Sequence, residues 1–143
     1  APADQMPLTK TTGKPHKGGY KNHPATKWAS ICSHNWIWLY QHTKELCRQF
    51  KIRFGKIHFA QKQLDHLTYS LVWSDYLPDL DERTPFARCL NQSQGRNLDL
   101  LDTDKYTDVQ AYRTFYIREK RGFATWDKGV PAPSWWSQLE GEE

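Results

Sequence analysis

The sequence predicts an all-α fold, a single domain of three main helices with an extended N-terminal arm and long irregular connections. Apolar residues recur at helical rather than alternating spacing in three separated stretches. Proline and capping residues punctuate those stretches at their starts and ends. The 143 residues, 38% hydrophobic and 14% aromatic, suffice for one core and exclude disordered, collagen-like and coiled-coil chains.

Residues 1–22 hold three Pro and three Gly, with Lys10, Lys14, His16, Lys17 and Lys21 among them. No apolar period runs through them, so they are expected to form a basic extended arm. The helical domain is expected over 23–136 and an acidic flexible tail over 137–143. Pro24 suits the first position of a helix, with Asn22 or His23 as its cap. Trp28, Ile31, Cys32, Leu39, Leu46 and Phe50 follow at helical spacing, which predicts one continuous helix over 24–50 with Trp28, Cys32, Leu39 and Leu46 buried. Asn35 and His42 fall on or beside that stripe and need partners if buried. Lys44, Arg48 and Lys51 occupy the other side. Gly55 reads as a helix stop.

A second helix is expected over 59–76, with Ala60, Leu64, Leu67 and Leu71 on one face and Pro78 ending it. Residues 79–105 read as irregular, with one short helix around 86–90. Thr107 and Gln110 have the spacing of a capping box. They open a third helix over 108–126 bearing Val109, Tyr112, Phe115, Tyr116 and Phe123, with Arg113, Arg118, Lys120 and Arg121 on its polar side. Trp135 and Trp136, past Pro131 and Pro133, are expected to dock back on the body.

No apolar run approaches the ~20 residues of a membrane helix. Cys32, Cys47 and Cys89 cannot all pair within one chain, so a disulfide-stapled scaffold is not expected and the thiols are read as reduced. Cys32, His34, His42 and Cys47 lack the paired short spacings of zinc motifs, so no metal and no cofactor is expected. Neither GxxxxGK[ST] nor GxGxxG occurs, which removes the usual phosphate-cradling loops. The carboxylates Asp79, Asp81, Glu82, Asp102 and Asp104 lie in polar loops and suit solubility better than acid–base catalysis.

Basic residues interleaved with aromatics remain. Residues 1–60 carry ten Lys/Arg against Asp4 and Glu45, whereas 61–143 carry ten against fourteen Asp/Glu. Such polarity suits an anionic partner, with a solvated basic face as the alternative. Three clusters stand out: Lys21, Asn22, His23 and Lys27 around Tyr20 and Trp28; Arg53, Lys56 and His58; and Arg113, Tyr116 and Lys120. Lys and Arg can hold phosphates while rings stack on exposed bases; the alternative for each ring is a place in the core.

The run Gly19-Tyr20-Lys21-Asn22-His23-Pro24, followed by a Trp-bearing helix, resembles the GYKNHP segment of pyrimidine-dimer DNA glycosylases of the endonuclease V type. The chain is also similar to small phage-encoded proteins that share NHP-x-x-x-WA, here Asn22 to Ala29. They share an aromatic-Arg-aromatic-Gly-Lys-x-His element, here Phe50 to His58, the run from Ala111 to Trp126, and a P-x-W matched by Pro133 to Trp136. The resemblance implies an all-α DNA-binding fold without a metal. It also implies catalysis by an N-terminal amine assisted by a Glu on a helix some tens of residues before the NHP segment. Residues 1–22 contain no Glu, so glycosylase or AP-lyase activity is expected only if a missing N-terminal segment is supplied. The expected function is DNA binding in the host-cell cytoplasm, with DNA as partner and no membrane. The alternative is a phage structural, assembly or interaction protein, virion-associated, that docks on a protein through its basic arm and aromatic C-terminus.

Overall fold

The computed structural model describes residues 8–17, 19–67 and 77–137, in two compact units, Ala1–Thr84 and Pro85–Glu143. The protein is all-α, with three main helices and one short one among the described residues. Among the described residues the one β pairing is an isolated bridge between Leu8 and Pro15. The expected continuation of the second helix from 68 to 76, the first seven residues and the tail from 138 lie outside the described residues.

In the first unit, helix α1 spans Pro24–Ala29. Its first turn lacks a proline N–H that would have had no helical partner, and the His23 ring accepts from the Ala25 N–H at 3.1 Å. The expected continuous helix over 24–50 breaks here. Ser30 turns its N–H (3.1 Å) and its hydroxyl (2.8 Å) back onto the Lys27 carbonyl, and Cys32 is fully extended. Short hydroxyl side chains compete with the helix ladder in this way. Tertiary bonds complete the break: the buried Asn35 donates to the Trp28 carbonyl at 2.7 Å, and the Ser33 N–H donates to the Pro78 carbonyl at 3.0 Å.

Helix α2 then runs Ser33–Phe54 and ends at Gly55, whose φ of 65° directs its N–H to the Lys51 carbonyl. Helix α3 follows over Phe59–Leu67, with the His58 ring accepting from the Ala60 N–H at 3.0 Å. Tyr40, Cys47 and Leu64 form the core between them, with Trp36 and Ala60 packed against it. Leu39 and Leu46, expected to be buried, are exposed, Leu46 to 55%. The reason is rotational: α3 docks along Tyr40 and Cys47, one residue and about 100° round α2 from the stripe the spacing suggested.

Residues 8–17 double back on themselves. The Thr9 N–H donates to the Lys14 carbonyl (2.8 Å), and the loop reaches α3 through His16 to Gln63 at 2.7 Å. The Lys10 ammonium also lies over the Phe59 ring at 5.9 Å.

The second unit is built on helix α4, Asp108–Lys120. Its capping box is formed: Thr107 accepts from the Gln110 N–H (3.2 Å) and Gln110 from the Thr107 N–H (2.8 Å). Leu90, Leu100, Tyr106 and Ala111 form the core, with Tyr112 and Phe115 against it. No helix forms at 86–90, contrary to expectation, because that segment's backbone bonds go to α4 side chains. The Phe86 N–H donates to Asp108 at 2.9 Å, the Cys89 N–H donates to the Tyr112 hydroxyl at 3.0 Å, and that hydroxyl donates to the Ala87 carbonyl. Short 3-10 turns follow at Ser93–Gly95 and Leu98–Leu101. Buried Asn97 binds the Asn91 carbonyl (2.7 Å) and Glu119 (3.0 Å).

Helix α4 stops six residues short of 126, where the Phe123 and Ala124 N–H groups both turn to the Lys120 carbonyl. Trp135 and Trp136 do fold back within this unit. The Arg113 guanidinium lies 5.5 Å from the Trp135 ring, Arg121 donates to the Trp136 carbonyl at 3.0 Å, and Trp126 meets Trp136 edge-on at 5.3 Å.

Candidate nucleic-acid interface

The predicted site residues fall into three groups. In the first, the Tyr20 carbonyl accepts from the His23 N–H at 2.9 Å, which closes a turn with Lys21 and Asn22 at its centre. Tyr20 stands at a φ of 52° and is 88% exposed. Lys21, Asn22 and Lys27 are exposed as well. His23 is engaged as the cap of α1 through Nδ1. Trp28 is a core residue, its indole N–H donating to the Thr84 carbonyl at 3.3 Å.

The second group lies at the junction of α2 and α3. Lys56 is exposed, His58 caps α3, and its ring meets Phe50 edge-on at 4.9 Å. Arg53 is half-buried and bonded to the Gln49 side chain. Gln49 in turn donates to Glu45 at 2.9 Å, alongside two bonds from Arg48 at 2.7 and 2.8 Å. The Arg48 and Gln49 bonds hold the Glu45 carboxyl down at about 2. Lys10, read from sequence only as part of the basic arm, is brought over Phe59 at the start of α3 by the arm's tertiary path.

The third group belongs to the second unit. Arg113, Tyr116 and Lys120 follow one another at i, i+3 and i+7 on α4, on the side away from buried Ala111, Thr114 and Ile117. Arg113 is pinned on Trp135, and the Lys120 ammonium sits between Phe115 and Phe123 at 5.7 and 5.6 Å.

Charge separates the units. The first carries twelve Lys/Arg against seven Asp/Glu, the second eight against nine. All nine lysines of the first unit are exposed, and among the described residues none joins an ion pair. No Asp or Glu occurs between Asp4 and Glu45, and among the described residues no carboxylate pairs with Lys10, Lys14, Lys17, Lys21 or Lys27. In the second unit, by contrast, Arg118 binds Asp99 through two 2.9 Å bonds that hold the Asp99 carboxyl below its ordinary range.

Cys32, Cys47 and Cys89 are free thiols; the first two are buried and Cys89 is exposed. Burial pushes the Cys47 thiol up, away from the reactive thiolate. Among the described residues no three His, Cys, Asp or Glu gather as a metal site, and no helix is long and apolar enough to cross a membrane. No family model, curated protein or solved structure matches the chain.

Proposed function

We propose that the protein binds DNA through the lysine surface of its first unit. The observation that carries this reading is the set of exposed lysines around the 20–23 turn and α1 that have no carboxylate partner among the described residues. Such side chains neutralise phosphates and release condensed counterions, which is the main source of sequence-independent affinity. The likeness of residues 19–24 to the GYKNHP segment of pyrimidine-dimer glycosylases supports DNA over other polyanions. The reading concerns binding; no residue is assigned to glycosylase chemistry. The proposed setting is the cytoplasm of a phage-infected cell.

Lys21, Asn22, Lys27 and Lys56 are the direct phosphate contacts in this reading. His23 and His58 act through the helix starts they cap, and Arg53 through the Gln49 side chain that holds it at the end of α2. Fluorescence anisotropy of a labelled 20-base-pair duplex tests it: a Kd of about 10⁻⁴–10⁻⁶ M is expected at physiological salt. Lys21→Ala should weaken every duplex sequence alike. Absence of binding even at low salt overturns the reading.

A second reading, a phage assembly or interaction protein, is favoured by a different observation. Leu39, Leu46, Phe54 and Ile57 are large, apolar and exposed along α2 and just beyond it, as at protein-docking surfaces. A complex formed through such side chains would persist at high salt, where phosphate contacts fail.

A further inference from the structure

From the outer face of α4 we infer a stacking platform for unpaired bases of single-stranded nucleic acid, an inference that rests on the nucleic-acid reading above and names the strand form the second unit takes. Val109, Arg113, Tyr116 and Lys120 succeed one another at intervals of four, three and four, the repeat that keeps residues on one face of a helix. That face is turned from the core, yet it is not simply polar. Tyr116 is 44% exposed, and Phe123, just beyond the helix end, is 69% exposed. A phenylalanine so open to water buries little of its ring in the fold.

The cations on this face are held by rings rather than carboxylates. Lys120 lies over both Phe115 and Phe123, and Arg113 over Trp135. Among the described residues the acids of α4 and of the turn packed on it are engaged elsewhere: Glu119 with Arg96 and Asn97, Asp99 with Arg118, and Asp108 with the Phe86 and Val109 N–H groups. Exposed rings flanked by positive charge fit a ligand that presents a flat π surface and a phosphate together. A paired base in a duplex keeps its faces against its neighbours, whereas an unpaired base offers a face to a ring. Duplex binding would need the cations and leave Phe123 and Tyr116 without a role. DNA and RNA single strands share this chemistry.

The test compares the unmodified chain with its Tyr116→Ala, Phe123→Ala, Phe123→Tyr and Lys21→Ala variants, titrated against labelled 15-mers of dT and rU and a duplex of the same length. Thermal melts confirm folding. The expected result is a 5- to 150-fold loss of single-strand affinity in Phe123→Ala and Tyr116→Ala, about that of one stacked base. Phe123→Tyr should restore binding, and the duplex affinity and salt slope of both alanine variants should stay as in the unmodified chain. The dT and rU arms show which sugar is preferred. Single-strand binding untouched by both alanine variants, or duplex binding lost equally with it, overturns the platform. If duplex binding that falls with Lys21→Ala survives that outcome, the proposed function stands alone. If no nucleic acid binds, both fall.

Discussion

Asn35 is fully buried, and both ends of its amide are satisfied: Nδ2 by the Trp28 carbonyl and the Thr84 hydroxyl at 2.7 and 2.9 Å, Oδ1 by the Thr84 N–H at 2.9 Å. It ties the end of α1 to a residue 49 positions away. Replacing it with Leu should cost about 2 kcal/mol or more, because the Thr84 N–H is left without its acceptor. Urea unfolding followed by tryptophan fluorescence measures that loss; an unchanged midpoint would contradict it. The two capping histidines make a similar case. His23→Ala should cost about 1 kcal/mol, and His23→Asn, which keeps an acceptor at the cap, should recover most of it. At this scale the sequence was partly legible. That Asn35 would need partners, and that His23 could cap, followed from position alone. That Thr84 would be the partner did not, since nothing local links residues 35 and 84. The engagement of Arg53 with Gln49 and of Arg113 with Trp135 was equally out of reach, because both are matters of side-chain direction rather than of residue type.

The helices divide by what determines them. Helix α4 begins where the capping box at Thr107 and Gln110 indicated, because both bonds of the box lie within four residues. Thr107→Ala should lower stability by about 1 kcal/mol, measured by chemical denaturation of the full chain. The break between α1 and α2 lacks such a marker: no proline or glycine stands at 30–32, and the interruption needs Ser30 acting locally together with Asn35 and Ser33 acting at a distance. The face of α2 that is buried was misplaced for the same reason, since the stripe through Leu39 and Leu46 and the one through Tyr40 and Cys47 are both apolar. Only the docking of α3 chooses between them. The second unit also carries a pH dependence. The bonds from Arg118 depress the Asp99 carboxyl below its ordinary value of 3.8. The ionised form therefore contributes stability that is complete above that value and fades as pH falls through the lower folded value. Asp99→Asn should flatten the acid limb of a thermal-melt profile below about pH 4; an identical acid limb in both proteins would contradict the pairing.

Across the whole molecule, charge is the property that was most legible in advance, because it needs only the order of residues. Basic excess sits in the first unit and is absent from the second, and the exposure of every lysine in the first unit turns that composition into a surface. What composition could not supply was which basic residues are engaged within the fold and which are open to a ligand. The histidines became caps and Arg53 joined a string along α2, whereas Lys21, Lys27 and Lys56 stayed exposed without an ion-pair partner among the described residues. If this surface holds phosphates, affinity must fall with salt in proportion to the contacts made. Protein docking through Leu46 and Phe54 would give no such slope. The most direct measurement is the dependence of duplex affinity on salt concentration for the unmodified chain and for a Lys21→Ala, Lys27→Ala double variant. A steep negative slope of log affinity against log salt is predicted, shallower by about two in the double variant, one for each phosphate contact removed. A flat dependence, or a steep one that the double variant leaves unchanged, would contradict the account.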